Sequence, residues 1–362
     1  MNKNTTRYYE LDLLRFIAAM AVVLFHFMFR GQQGDFIPVS FPSFENYVQY
    51  GYLGVNLFFM ISGFVISLSA ENRTARQFVI SRITRLYPAF WAGVTVTAIA
   101  IVFFGGTLFQ VDWSQYLINL TMLAQFLGVE NVDGVYWTLY VELKFYVIIF
   151  IVLLFDKFNK MELVLATWLS ILLLGLAFEL PRIVNSLVFS EWAPFFISGV
   201  VFYLLKVKGF NLLRSAILIV AFMLSLLEAV EGNTVFNTDY NVNASELAVV
   251  LIVLSYYCTF TLIIFDKLSW FRSSWALRIG ALTYPLYLIH QNLGFMFFTY
   301  FDGVLNKYVL LMMAILLVLV ISWLIHVLIE RKLGPEFKRC LEGCLSVKSE
   351  NKEPNITHKS IR

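Results

Sequence analysis

Charge is what this sequence has least of. Asp, Glu, Lys and Arg together make up 14% of its 362 residues, against roughly a quarter in ordinary soluble domains. That scarcity excludes a soluble globular domain, a disordered chain and a coiled coil, each of which needs many more polar side chains. Cysteine is scarce too, and three residues cannot build a disulfide framework. Cys258 lies in an apolar run. Cys340 and Cys344, one helical turn apart beyond the last apolar run, read as reduced thiols, with S-acylation as the alternative. No internal repeat is visible, so an inverted-repeat transporter has no support. No stretch is long enough for a separate soluble domain. What is present is apolar: 59% of the residues, 36 of them Phe.

Ten runs have the length of membrane spans, at 11–30, 50–69, 86–105, 135–155, 162–179, 188–205, 211–229, 244–265, 279–300 and 308–329. The expected fold is therefore an all-α integral membrane protein, a bundle of about ten transmembrane helices. Residues 116–128 are apolar but short and read as a re-entrant or interfacial piece. The first run opens with Asp12 and Arg15, ends in His26 and Arg30, and has no small-residue cleavage site, which argues against a cleavable signal peptide. With the N-terminus inside, 22 of the 27 Lys and Arg fall on inside segments and three (Arg30, Arg182 and Lys307) outside, while Arg15 and Lys144 lie within spans. The positive-inside rule then puts both termini in the cytoplasm. The organisation expected is a short cytoplasmic N-terminus (1–10), a membrane domain (11–335) and a cytoplasmic, disordered tail (336–362).

Ionisable residues at membrane depth are costly and by default mark function. Here they are Asp12, Arg15, His26, Glu142, Lys144, His290 and His326. Arg15 and His26 are 11 residues apart, which at 100° per residue is 20° past three full turns, so both face one way, about 16 Å apart along the axis. The structural alternative is a snorkelling arginine and a satisfied interfacial histidine. Glu142, in YWTLYVELKFY, needs a partner; Lys144, two residues on, points elsewhere, and His26 at similar depth is the better candidate. His290 follows Pro285 in LTYPLYLIHQN, where freed carbonyls suit a cavity lining, although bundle packing would equally explain it. His326, beside Glu330, Arg331 and Lys332, reads as structural. Arg82 and Arg85 precede Pro88, which suits the first turn of the third span; they would then stand at a cytoplasmic helix start, ready for bidentate phosphate binding. Ordinary positive-inside charge is the alternative. Gly51, Gly54 and Gly63 let helices approach closely, and Asn56 and Ser62 offer hydrogen bonds within the bundle.

In order along residues 8–335, the segments ELDLLRFIAAMAVVLFH, GYLGVNLFFMISGFVI, RITRLYP, YWTLYVELKFY, WAPFFISGVVFYL and LTYPLYLIH resemble the acyltransferase-3 family of membrane acyltransferases. The resemblance implies a protein of the bacterial cytoplasmic membrane. Such a protein carries an acetyl or other short acyl group from cytoplasmic acyl-CoA to a hydroxyl of an extracytoplasmic glycan or lipid-linked sugar. Carried over position by position, it implies a functional pair at Arg15 and His26, an arginine motif for the donor at Arg82 and Arg85, and a buried glutamate at Glu142. The family often has Asp where Asn56 stands and Ser where Thr138 stands. Some members carry a fused esterase-like domain; this chain stops about 30 residues after the last span, so a handover partner is expected to be separate or unnecessary. Acetyl-CoA is the leading donor. Besides donor, carbohydrate acceptor and membrane lipids, no metal and no nucleic acid is implied.

A sugar hydroxyl is a weak nucleophile, and neutral imidazole is a suitable base near pH 7. His26, oriented by a carboxylate such as Glu142, is the first candidate, and His290 is its competitor. Transient acylation of His26 is a second option, and Arg15 either guides the donor or holds the helix. Two rival classes stand beside the enzyme: a carrier or flippase for a lipid-linked sugar or anionic solute, which would move substrate without consuming thioester, and a non-catalytic membrane partner.

Overall fold

The computed structural model describes residues 8–271 and 273–344. Lys3, Arg7 and Arg272 of the inside charges, and the part of the expected tail beyond Cys344, lie outside the described residues. Every regular element among the described residues is helical. Ten helices have 16 residues or more: α1 Tyr9–Phe25, α2 Gly54–Ala70, α3 Ala75–Phe104, α4 Trp137–Leu154, α5 Met161–Ala177, α6 Ala193–Lys208, α7 Leu212–Tyr240, α8 Glu246–Ile264, α9 Thr283–Tyr300 and α10 Lys307–Ile325. Nine stretches of the described chain are long and apolar enough to cross a membrane. The remaining long helix, α9, is less apolar because Thr283, Tyr284, His290, Gln291 and Asn292 interrupt it. It is buried along nearly its whole length, where polar side chains meet protein instead of lipid.

The connections alternate the helices between two ends. At one end Gly280 abuts Asp12, Arg214 bonds Glu162 (2.7 Å) and Arg85 faces Glu330 (3.8 Å). At the other, Arg30 donates to the Tyr240 hydroxyl (2.6 Å) and Lys307 to the Ser40 carbonyl (3.0 Å). The basic connections gather at the first of these ends, so the charge asymmetry of the sequence is also an asymmetry in space.

The segment near 116–128 does not cross the bundle. Its helix, Trp113–Asn119, has seven residues, about 10 Å of rise. Asp112 caps it; hydrogen bonds from the Gln115 backbone N–H and the Ser114 hydroxyl hold its carboxyl below the usual carboxylate range. The chain runs back along α3: the Tyr116 and Thr95 hydroxyls are 3.0 Å apart, Trp91 Nε1 donates to the Leu120 carbonyl (2.9 Å) and the Tyr87 hydroxyl to that of Thr121 (2.9 Å). It then returns through bonds of Asn119 to Glu130 and Val132. Irregular backbone is tolerated at such depth because these groups are paired within protein.

Three local expectations are corrected. A capping box of Thr74 and Gln77 starts α3 at Ala75, so Arg82 and Arg85 sit two to three turns inside the helix. They have no free backbone N–H groups beside them, and Pro88 is interior. Pro285 does not interrupt a span; the chain breaks after Gly280, and Pro285 lies in the first turn of α9, where its missing N–H costs nothing. Helical order continues past residue 335 through Gly334–Cys344, because Phe337 packs edge-on against Trp91 at 5.5 Å.

The glycines of the second span work as close-contact points. A Cβ on Gly51 would run into the Ala21 carbonyl, one on Gly54 into that of Ala18, and one on Gly63 into that of Phe196. Gly199 of α6 meets Met60 of α2 in the same way, so α2 and α6 cross backbone to backbone. Gly63→Val is expected to destabilise the bundle by about 1–3 kcal/mol or more, the usual cost of overpacking. Thermal unfolding of the detergent-solubilised variant would show it as a clearly lowered midpoint; an unchanged midpoint would contradict the tight crossing.

Candidate active site

A cavity of about 840 Å³, open mouth included, lies among α1, α2, α3, α4 and α9. Four of the six residues singled out from sequence line it: Arg15, Arg82, Arg85 and Glu142. Helical periodicity explains the grouping. Glu142 and Tyr146 are one turn apart on α4, and Tyr284, Tyr287 and His290 follow at intervals of three on α9.

Three arginines against one carboxylate make the cavity cationic. The Arg82 guanidinium lies over the Phe78 and Tyr146 rings (5.8 and 5.9 Å) and bonds the neighbouring Ser81 hydroxyl (3.1 Å). Its Nε is buried without a hydrogen-bond partner. A buried donor left unpaired is costly, and an anionic oxygen in the cavity would satisfy it. Arg85 is half-exposed at the mouth. Arg15 lies 3.9 Å from Asp12. Glu142 accepts hydrogen bonds from the Ser62 hydroxyl (2.8 Å) and the Tyr146 hydroxyl (3.0 Å). The expected pairing of Glu142 with His26 is therefore absent, because Ser62 and Tyr146 stand closer.

His26 pairs with His290 instead. Its Nδ1 is 3.0 Å from His290 Nε2, with ring centroids 4.9 Å apart. Both rings are buried. His26 opens a π-helical turn, His26–Arg30, a helix distortion frequent at functional sites. Carbonyl oxygens fix the tautomers, since they only accept. His290 Nδ1 faces the Tyr287 carbonyl (2.9 Å), so it carries the proton and His290 Nε2 is the acceptor. His26 Nδ1 faces both that acceptor and the Val22 carbonyl (2.9 Å), so it is the donor. The unshared pair of His26 then sits on Nε2.

Neither histidine lines the cavity. Tyr287 separates them from it: its ring packs edge-on to Phe58 in the cavity wall (5.6 Å), its hydroxyl is 2.9 Å from that of Thr138, and its carbonyl holds His290. Arg15 therefore lines the cavity, while His26, expected on the same stripe, lies beyond Tyr287. His326 lies elsewhere, its Nδ1 2.6 Å from Glu330 Oε2. Lys144 points away from Glu142, over the Tyr140 ring at 4.7 Å.

Tyr146, Tyr287 and Glu330 escaped the reading of the sequence. The spacing of Tyr146 from Glu142 and the Tyr284–Tyr287–His290 series carried a signal for the first two; nothing local marked Glu330 as facing Arg85. Among the described residues no group of three potential ligands could hold a metal ion.

A membrane-embedded helical bundle with a cationic cavity beneath a buried histidine pair is the class that sequence and structure define together. The chain belongs to the acyltransferase-3 family, whose acyltransferase domain matches residues 8–327. It is similar to nodulation protein 10 of Rhizobium leguminosarum bv. viciae, 30% identical over 155 residues that cover 37% of this chain and 41% of that protein. It is also similar to the peptidoglycan O-acetyltransferase OatA of Listeria monocytogenes serovar 1/2a, 28% identical over 171 residues, or 40% of this chain and 25% of that protein. The matches thus span less than half the length of either curated relative. No solved structure matches the chain significantly.

Proposed function

We propose that this protein is an O-acyltransferase of the bacterial cytoplasmic membrane. It moves an acetyl or other short acyl group from cytoplasmic acyl-CoA to a hydroxyl of an extracytoplasmic glycan or lipid-linked sugar. The observation that carries the reading is the arginine-lined cavity, which opens toward the basic end of the bundle and closes just below His26 and His290. Family membership and the relative whose name states peptidoglycan O-acetylation support the same chemistry.

The phosphates of the donor sit on Arg82 and Arg85 at the cytoplasmic mouth, held by charge-assisted hydrogen bonds. The acyl thioester extends upward past Arg15, and Tyr287 swings aside to admit it to the histidine pair. The acceptor hydroxyl arrives from the opposite side. His26 Nε2 takes its proton as the hydroxyl oxygen attacks the thioester carbonyl carbon. The carbon–sulfur bond then breaks, and the departing sulfur takes the proton back from the imidazolium. His290 is the positioning residue, holding His26 in the productive tautomer. Glu142 fixes Ser62 and Tyr146 and balances the arginines.

The test is turnover by purified protein in lipid nanodiscs with labelled acetyl-CoA and a glycan acceptor. Release of free CoA together with acyl-glycan is expected. Movement of the sugar without thioester consumption would overturn the enzyme in favour of a carrier.

The direction of transfer requires both termini in the cytoplasm, as the charge split implies. Reporter fusions at Asn241 and after the C-terminus are expected to report outside and inside respectively. A cytoplasmic report from Asn241 would reverse the proposed direction.

A further inference from the structure

Arg85 lines a second space. Beside the cavity mouth, a groove of about 710 Å³, open face included, lies between Thr84, Arg85 and Pro88 of α3 and Glu330, Pro335 and Lys338 of the chain following α10. The two spaces meet at Arg85, which borders both. The groove is built for a polar ligand. Arg85 and Lys338 offer two partly exposed cations, 48% and 55% accessible. Neither is engaged at close range: Arg85 Nη1 is 3.8 Å from Glu330, and Lys338 Nζ is 3.7 Å from Glu342. Between them stands Glu330, its side chain mostly covered; its Oε2 is bonded to His326 Nδ1 at 2.6 Å, and its Oε1, which faces Arg85, accepts no hydrogen bond. Two loosely paired cations and one carboxylate oxygen without a hydrogen bond match a molecule that carries phosphates and also hydroxyl or amine donors.

We infer that this groove holds the nucleotide end of the acyl donor, with phosphate oxygens on Arg85 and Lys338 and Glu330 Oε1 accepting from a ribose hydroxyl or the adenine amine. The inference rests on acyl-CoA being the donor and extends its site beyond Arg82 and Arg85. An acyl-CoA divides at the same point as the two spaces. Its slender pantetheine arm enters the cavity, and its bulky, charged nucleotide stays at the mouth. The groove's far wall is the segment Gly334–Cys344, held against α3 by the contact of Phe337 with Trp91. That segment thereby forms part of the donor site, although it follows the last span.

Binding of adenosine 3′,5′-bisphosphate tests this without catalysis. In phosphatidylcholine nanodiscs the unsubstituted protein is expected to bind it. Lys338→Glu is expected to weaken binding by about tenfold or more, the scale of losing one charge-assisted contact. Lys267→Glu, an exposed charge at the same end and outside the groove, is expected to leave it unchanged. In turnover, Lys338→Glu should raise KM for acetyl-CoA and leave KM for acetyl-pantetheine, which has no nucleotide, as it was. No binding by the unsubstituted protein, or equal binding by Lys338→Glu, would overturn the groove assignment. So would a loss confined to anionic-lipid binding, which would make the groove a headgroup site. Acyl transfer from acetyl-CoA that Lys338→Glu does not alter would refute the groove alone; absence of any acyl transfer would refute the proposed function.

Discussion

His26→Ala is expected to lower acyl transfer at least about a hundredfold, the low end for loss of a general base. The protein should still fold and insert. His26 ends the regular part of α1 and carries no charge pair; its ring is buried against His290, Phe25 and Phe295, so some packing is lost and abundance in the membrane is the control. The direction of the hydrogen bonds gives the expectation its force. Both Nδ1 atoms face carbonyl oxygens, and the only ring nitrogen of the pair with an uncommitted lone pair is Nε2 of His26. His290→Ala should cost less, because water can replace an acceptor at Nδ1 of His26, and its effect should appear as a shift in the pH profile of turnover. His326→Ala, whose ring contacts Glu330 and not the pair, should cost least. Should His26→Ala keep near-normal turnover while His290→Ala is dead, the base belongs to α9 and the tautomer argument is wrong.

Replacing Arg82 and Arg85 together with Ala is expected to weaken acyl-CoA binding about a hundredfold or more. Each charge-assisted hydrogen bond contributes about 1.5–3 kcal/mol, and two are lost. Arg82 Nε is a buried donor with no hydrogen-bond partner, so a bond that it forms with a phosphate is not offset by breaking another. Lys at both positions should rescue only in part, because an ammonium cannot grip an anion in a bidentate manner. Protein abundance in the membrane is the control for folding, since Arg82 also packs on Phe78 and Tyr146. Unchanged donor affinity in a well-expressed double variant would remove both arginines from the site.

Length and apolarity alone determined the helical membrane fold, because a bilayer leaves a polypeptide few ways to satisfy its backbone. The same scarcity of charge made Arg15, His26, Glu142 and His290 conspicuous, since an ionisable group at depth must be offset by a partner. Periodicity grouped Arg15 with His26, and the shortness of the apolar run 116–128 marked it as a piece that does not cross. Who pairs with whom was not legible. His26 lies 264 residues from His290 in sequence, and Ser62 lies 80 from Glu142; such contacts depend on how α1, α2, α4 and α9 are rotated about their axes. That rotation is set in part by where backbones can touch, as at Gly63 and Gly199. Prolines read without their neighbours misled twice: the Thr74–Gln77 capping box starts α3 well before Pro88, and the break after Gly280 leaves Pro285 in a first turn, not inside a span. The cavity, its roof at Tyr287 and its second chamber at Glu330 exist only once distant helices meet, because a concave site is a property of the space between elements and no single element contains it.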